Sequence, residues 1–476
     1  MPEISPIVLL LLGLLIVVAG ILIVRLHPIL ALLSGAVLIG WLTADSQLQL
    51  FAQSRGLSET QINNLLNQSF GERIAIAFGE TSGKIGLLIV LASIIGKCLL
   101  DSGAAERIVR SMLKVFGESK APGAFMVSSF ILAIPIFFDT IFYLMVPLAR
   151  AMGVRKEKSY ALYIMAIIAG GTMAHSLVPP TPGPLFAAGA LGVSIGMMII
   201  MGTVIGLICS GAGLAYAYWL NKNQFIPLRS TNDVPVEELK SWLNKDTSTL
   251  PSFFMSNLPI ALPVVLIAGK TIIESQPHFY PDGILSFFKV VGDPVIALFI
   301  ATIIALAILS KQSSYKLKEL KTPVEEAILS AGMIVLITCA GGAFGAILQQ
   351  TSIGNWLVDL SKDVKLAVLP LAFLVTAVIR TAQGSATVSM ITAIGMLTVF
   401  NTPGAMSFHP VYLAIVIGCG SKLFPWMNDS GFWIITKMSG FTEGESIRNF
   451  SLLLTIMGVV GLIATMILAK LFPLIG

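Results

Sequence analysis

Charge is scarce in this chain. Only 12% of its 476 residues are Asp, Glu, Lys or Arg, whereas 55% are hydrophobic, and the mean hydropathy is +0.88. This composition excludes a soluble globular protein and indicates an integral membrane protein. The longest polar stretch, 221–252, is too short for a soluble domain and is predicted to be a cytoplasmic linker. The net charge of +5 is spread over short loops, so it gives no indication of nucleic-acid binding.

Cysteine is also rare. The four cysteines, Cys98, Cys209, Cys339 and Cys419, all lie in apolar segments. That placement predicts reduced, buried thiols rather than a disulfide framework or a metal site. No cofactor is expected.

The sequence lacks the usual signatures of catalysis. It has no His/Asp/Glu cluster at metal-binding spacing, no Gly-x-Ser-x-Gly elbow and no Walker loop. These absences argue against a membrane enzyme and a self-contained ATP-driven pump. Composition does not exclude a channel, but interrupted helices suit alternating access better.

Apolar segments of spanning length fill most of the chain. The first, 6–24, has no basic residues before it and no small-residue cleavage site after it, so we predict a first span rather than a signal peptide. Four later segments, 123–152, 160–191, 366–400 and 410–436, have polar residues, Pro or Gly near their middle. We interpret 123–152 and 366–400 as re-entrant hairpins and the other two as broken transmembrane helices.

The four interrupted segments form two pairs, which indicates an internal repeat. At one constant offset Gly171-Thr172 meets Gly420-Ser421, and Pro180-Thr181 meets Asp429-Ser430. We therefore predict two repeats, 1–220 and 253–476, joined by the linker.

Loop charges predict the topology. Basic residues concentrate in the loops at 101–120, 150–158, 221–252 and 311–321, which should face the cytoplasm by the positive-inside rule. The loop at 45–73, which precedes a span predicted at 85–100, has little positive excess and should lie outside. About ten crossings plus two hairpins satisfy this pattern, at the usual span length of about 20 residues. Each repeat then has an odd number of crossings, so the second enters the membrane inverted and both termini face out. The predicted fold is an all-α integral membrane protein with two inverted-topology repeats.

Ionisable and polar residues lie at membrane depth in the second broken helix. Lys422, Asn428 and Asp429 stand between apolar helical sequence on both sides, with Pro425 among them. A charge at the centre of a bilayer costs roughly 3 kcal/mol on insertion scales, so such residues are interpreted first as a functional site.

Four stretches together resemble the gluconate:proton symporter family of the ion transporter superfamily. They are Pro135–Thr140 (PIFFDT), His175–Pro184 (HSLVPPTPGP), Arg380–Thr387 (RTAQGSAT) and Asn428–Trp433 (NDSGFW). The resemblance covers nearly the whole chain. It implies proton-coupled uptake of gluconate or a related sugar acid or hydroxy acid across a bacterial inner membrane. It also implies a homodimer in which a mobile domain, containing both hairpins and both broken helices, moves as an elevator.

The residues themselves indicate where an organic anion would bind. Arg380, at the tip of the second hairpin, can pair a carboxylate bidentately, although it can also end a span and extend to the interface. The remaining substrate-binding candidates are small, polar or close to a helix break: Thr381, Gln383, Gly384, Ser385, Thr387, Thr140, Thr181, Asn428 and Ser430.

Three residues are candidates for proton coupling: Asp139, Asp429 and His175. Each carboxylate can instead be a permanent partner, Asp429 for Lys422 or Asp139 for Arg380, and the residues do not choose between them. His175 suits a proton relay, but a lone His beside a Pro-rich break is commonly a hydrogen-bonded structural residue. A sodium-coupled carboxylate transporter is the alternative function, because hydroxyls such as those of Ser385 and Ser421 can coordinate Na⁺.

Overall fold

The computed structural model describes residues 4–155, 157–229, 248–313, 319–353, 367–401 and 406–474. These residues form helices joined by turns and contain no strand, which confirms the predicted all-α fold. Most of the predicted linker, 230–247, and the first residue of the predicted second hairpin, 366, lie outside the described residues.

Twelve α-helices begin before the linker within the described residues. They are α1 (Pro6–Leu22), α2 (Pro28–Leu42), α3 (Asp45–Ser54), α4 (Glu59–Asn67), α5 (Phe70–Thr81), α6 (Leu87–Asp101), α7 (Ala104–Phe116), α8 (Ala121–Leu132), α9 (Phe138–Arg155), α10 (Tyr160–Leu177), α11 (Pro182–Ala190) and α12 (Ile195–Asn223). A π-helical turn at Ser82–Gly86 joins α5 to α6 without a break.

Ten α-helices follow the linker within the described residues. They are α13 (Phe253–Ser275), α14 (Asp282–Val291), α15 (Pro294–Ser313), α16 (Lys321–Gln349), α17 (Val368–Gln383), α18 (Ala386–Leu397), α19 (Pro410–Gly420), α20 (Ser430–Ser439), α21 (Glu443–Ser446) and α22 (Leu452–Leu471). A second π-helical turn, Ile447–Ser451, joins α21 to α22.

Within the described residues, seven helical segments are long and apolar enough to cross a membrane. They are Phe70–Asp101, Tyr160–Ala190, Ile195–Asn223, Phe253–Ser275, Pro294–Ser313, Lys321–Gln349 and Glu443–Leu471. The predicted total of about ten crossings also counts α1, α2 and the α19–α20 pair as spans. Each of these four helices is shorter than the seven segments above.

The third span is longer than the sequence suggested. We expected a loop over 45–73 and a span at 85–100, but α3 and α4 occupy much of that loop and the span begins at Phe70. A capping box explains the early start: Ser69 Oγ accepts from the Glu72 amide at 3.2 Å, and the Glu72 carboxylate accepts from the Ser69 amide at 2.8 Å. These contacts satisfy amides that the first helical turn leaves unpaired.

All four predicted interruptions coincide with breaks between helices. The turn 133–137 separates α8 from α9, and Gly384-Ser385 separates α17 from α18. Residues 178–181 separate α10 from α11, and 421–429 separate α19 from α20. We call α8–α9 and α17–α18 the first and second hairpins, and α10–α11 and α19–α20 the first and second broken helices.

Glycines let each hairpin pack tightly on the broken helix of its own half. A Cβ on Gly170 of α10 would lie 2.0 Å from the Met126 carbonyl oxygen of α8, and one on Gly420 of α19 would lie 2.6 Å from the Phe373 carbonyl oxygen of α17. Contact between backbones at such distances is possible only without a side chain. The two halves thus repeat the same contact.

The remaining spans interlock the two halves. Helix α2 packs against α16 of the second half, and α15 packs against α6 of the first. Each half therefore supplies a second span that contacts the third span of the other half.

Candidate functional site

Helix N-termini meet where the hairpin tips approach the second broken helix. The first turns of α9, α18 and α20 contribute Phe138, Ser385 and Ser430, respectively, to one cavity of about 250 Å³. The unpaired amides at the start of a helix carry partial positive charge and favour a bound anion. Three such ends directed to one cavity make an anion the expected occupant.

The cavity also contains most of the ionisable residues predicted from the sequence. Its lining includes Asp139, Thr172, His175, Arg380, Gly384, Ser385, Thr387, Lys422, Asp429 and Ser430, together with apolar side chains such as Phe137, Ile337 and Ile391. Residues from both halves of the chain thus form one site. Several hydroxyls beside cationic groups suit a hydroxylated anion.

Each of the three guanidinium nitrogens of Arg380 donates a hydrogen bond to a neighbouring residue. Its Nε donates to the Ser421 carbonyl oxygen at 2.9 Å, Nη1 donates to the Gly384 carbonyl oxygen, and Nη2 pairs with Asp429 Oδ2. Arg380 is 3% exposed, so this ion pair lies inside the protein. The guanidinium thereby ties the second hairpin to the second broken helix.

Asp429 has a second structural contact. Its Oδ1 accepts from the Gly431 amide at 2.7 Å and so caps the N-terminus of α20. Both carboxylate oxygens of Asp429 are therefore occupied. In this structure Asp429 is the ion-pair partner of Arg380, a pairing that the sequence did not single out.

Lys422 and Asp139 are differently placed. Neither side chain forms a hydrogen bond or ion pair in the described part of the chain, although Asp429 is near enough to attract Lys422 at longer range. Lys422 is 3% exposed and Asp139 is half-buried, and both line the cavity. The cavity therefore presents one cation and one carboxylate that lack partners among these residues.

His175 lies at the end of α10, on the wall of the cavity. Its ring makes an edge contact with Phe137, with 5.7 Å between ring centroids. The Nδ1 atom is buried and has no hydrogen-bond partner among the described residues. The hydrogen-bonded structural role considered from the sequence is thus not observed at Nδ1.

The other predicted site residues lie outside the cavity lining. Thr181 is buried and donates to the Val178 carbonyl oxygen at 2.7 Å. Asn428 donates to the Thr381 carbonyl oxygen at 2.8 Å, which holds the second broken helix against the hairpin tip. Thr140 and Gln383 are half-buried. Through these hydrogen bonds, Thr181 and Asn428 stabilise the backbone at the breaks of the first and second broken helices, respectively.

Lys422 is not among the substrate-binding candidates from the sequence, which placed it at membrane depth and offered it as a partner for Asp429. The signal was present, since a lysine between Gly420 and Pro425 lies at membrane depth in a helix break. Only the fold shows that Asp429 forms its ion pair with Arg380, so that Lys422 faces the cavity without an ion-pair partner among the described residues.

Gly384 lies at the tip of the second hairpin, and a substitution there tests the geometry of that tip. Its φ is +88°, and a Cβ would lie 2.2 Å from the Asn428 carbonyl oxygen. We expect Gly384→Ala to lower the free energy of unfolding by about 2–4 kcal/mol, because left-handed strain and a backbone clash add together. Thermal unfolding in detergent measures this loss. Gly332→Ala is the matched control, since a Cβ there meets no atom within 4 Å, and equal stability of the two variants would contradict the assignment.

Comparison with known proteins identifies the family. The model of the GntP family permeases matches residues 5–472. This chain belongs to the GntP permease family. An uncharacterized permease of Haemophilus influenzae is 32% identical over 452 residues, covering 92% of this chain and 86% of that protein. A gluconate permease of Pseudomonas aeruginosa is 30% identical over 397 residues, covering 82% of this chain and 86% of that protein.

A solved structure supports the same fold. The YdaH transporter of Alcanivorax borkumensis, described as having an unusual topology, aligns with a TM-score of 0.62 over 94% of this chain and all of that chain, at 15% identity. This chain is thus a multi-pass bacterial inner-membrane protein of the permease class, as predicted.

Proposed function

We propose that this GntP permease takes up gluconate, or a related sugar acid or hydroxy acid, together with protons. Gluconate permeases and a low-affinity gluconate transporter of Escherichia coli are among its relatives. The 250 Å³ cavity is slightly smaller than the roughly 300–1,000 Å³ of drug-sized ligand sites, which suits a small acid. Lys422 and the helix N-termini bind the carboxylate, and Ser385, Thr387 and Ser430 bind hydroxyls.

The charge balance of the cavity supports proton coupling. Arg380 and Lys422 balance Asp139 and Asp429 when both carboxylates are ionised. A substrate carboxylate adds one negative charge to a site where an unbalanced charge is costly. A proton on Asp139 removes that charge, so substrate and proton bind together. Asp139 rather than Asp429 carries the proton, because both oxygens of Asp429 are already occupied.

The same contacts disfavour sodium coupling. The carbonyl oxygens of Gly384 and Ser421 lie at the breaks of the second hairpin and the second broken helix, respectively. Carbonyl oxygens at such breaks are the ligands that a sodium ion would use. Arg380 donates to both of these oxygens. A guanidinium at that position repels a second cation, so a proton is the better coupling ion.

The packing supports an elevator mechanism. Both hairpins and both broken helices converge on the cavity, so they can move as one body with the substrate. The α2–α16 and α6–α15 pairs form the scaffold against which that body moves, and Ile337 of α16 lines the cavity from the scaffold side. A groove lined by Ile16, Leu33, Val37 and Trp41 leaves an apolar scaffold face exposed, in keeping with a homodimer. In this proposal the chain comprises two inverted repeats, 1–220 and 253–476.

Asp139→Asn separates transport from proton coupling. We expect this variant to exchange external radiolabelled gluconate for internal gluconate, yet to lose accumulation driven by an inward pH gradient, because the amide cannot take up the proton. Uptake into proteoliposomes without Na⁺ measures both activities. Asp282→Asn, at the exposed start of α14, is the control. Gradient-driven accumulation by Asp139→Asn, or a Na⁺ requirement in the wild type, would contradict proton coupling at this residue.

A further inference from the structure

A second, larger polar cavity lies apart from the transport site. It encloses about 720 Å³ between α3–α5 and the ends of α11, α16 and α18, on the side predicted to face outside. We call it the vestibule. None of the residues that line it also lines the 250 Å³ cavity. The transport mechanism above therefore does not use it.

Three cationic side chains line the vestibule. They are Arg55, Arg73 and Lys84, and Glu80 is the acidic residue among the lining residues. In the described part of the chain none of the three forms an ion pair, although Asp45, outside the lining, is near enough to attract Arg73. A cavity with this excess of positive charge concentrates anions from solution.

Arg73 is fixed in place at the wall of the vestibule. It is 5% exposed, and its Nη1 and Nη2 donate to Gln350 Oε1 at 2.7 Å and to the Gly40 carbonyl oxygen at 3.1 Å. Its Nε is buried without a hydrogen-bond partner among the described residues. Arg55 Nη2 similarly donates to Gln349 Oε1 at 2.7 Å. Neutral amide oxygens thus orient the two guanidiniums, and neither guanidinium forms an ion pair among the described residues.

The rest of the polar lining suits hydroxyl groups. The side chains of Gln61, Asn64, Gln68 and Asn401 bring amide groups to the same cavity. Amides both donate and accept hydrogen bonds, as a polyhydroxylated chain requires. Guanidiniums beside several amides are therefore complementary to a sugar acid rather than to a simple inorganic anion.

One layer of side chains separates the vestibule from the transport site. Phe186 lines the vestibule, Ile391 lines the transport cavity, and Gly341 contacts both: a Cβ on this glycine would lie 3.6 Å from the Phe186 ring and 2.5 Å from Ile391. An anion in the vestibule is therefore one layer away from the transport cavity.

We propose that the vestibule is a second binding site for the hydroxylated carboxylate substrate, one that captures it before it reaches the hairpin tips. The substrate class rests on the proposed function, whereas the site itself rests on the vestibule's own residues. Arg55 and Lys84 attract the carboxylate, and the amides hold the hydroxyls.

Protection of an introduced cysteine tests this site directly. The four native cysteines are buried, so Asn64→Cys places one accessible thiol in the vestibule. The Lys422→Gln change is added to disable the transport site. We expect gluconate at about ten times its dissociation constant to slow labelling by a membrane-impermeant maleimide about tenfold, since bound ligand excludes the reagent in proportion to occupancy. Arg55→Gln with Lys84→Gln should abolish that protection, and uncharged sorbitol should not protect.

Gln53→Cys, on the exposed surface of α3 outside the vestibule, controls for general effects of gluconate on labelling. Equal protection at Gln53→Cys, protection by sorbitol, or no protection at Asn64→Cys while the wild type transports gluconate would overturn the vestibule site. Protection at Asn64→Cys by gluconate that the wild type does not transport would support the site and overturn the proposed substrate.

Discussion

Lys422→Met is expected to lower the kcat/KM of gluconate uptake at least about 30-fold, because truncating one partner of a buried charge pair costs about 2–5 kcal/mol and each 1.4 kcal/mol is about tenfold. Lys422 is the cation in the transport cavity that lacks a partner among the described residues, so the substrate carboxylate is its natural counter-ion. Initial rates of radiolabelled gluconate uptake into proteoliposomes measure the loss.

The same substitution should leave the folded protein intact. Lys422 is 3% exposed, and a buried charge without a close partner opposes folding. We therefore expect the unfolding temperature of Lys422→Met in detergent to equal or exceed that of the wild type. Lys437→Met, at an exposed position of α20, is the matched control and should retain uptake. Wild-type transport by Lys422→Met would refute this role for the lysine, whereas a lower unfolding temperature would show that it has a structural partner.

Arg380→Met is expected to abolish transport for a different reason. Arg380 neutralises Asp429 and donates to two carbonyl oxygens, so its loss leaves a buried carboxylate without its partner. Breaking a buried ion pair on one side costs about 3–5 kcal/mol. The unfolding temperature should fall well below that of the wild type, in contrast to Lys422→Met.

A double variant distinguishes this explanation from simple loss of packing. Asp429→Asn removes the unpaired charge and retains a good helix cap for α20. Arg380→Met combined with Asp429→Asn should therefore recover part of the stability that Arg380→Met loses, without recovering transport. Arg448→Met, at an exposed position, controls for loss of an arginine. A double variant no more stable than Arg380→Met would contradict the paired-charge explanation.

The sequence alone determined the class, the family and the positions of the helix breaks. Composition excluded a soluble protein, and the Pro, Gly and polar residues at 178–181 and 421–429 interrupt otherwise apolar helices. These are local properties: a proline removes a backbone donor, and a glycine or polar residue lowers helix preference wherever the helix packs. The family followed from the resemblance of four sequence stretches, each of which includes or adjoins one of the four helix breaks.

Only the tertiary structure decided which ionisable groups are partners. Arg380 and Asp429 are 49 residues apart, and the sequence equally allowed Asp429 to pair with Lys422 or Arg380 with Asp139. Ion pairing depends on a few ångströms between side chains from different helices, which no local pattern encodes. The vestibule likewise appears only when Arg55 and Arg73 of the first half meet Gln349 and Gln350 of the second.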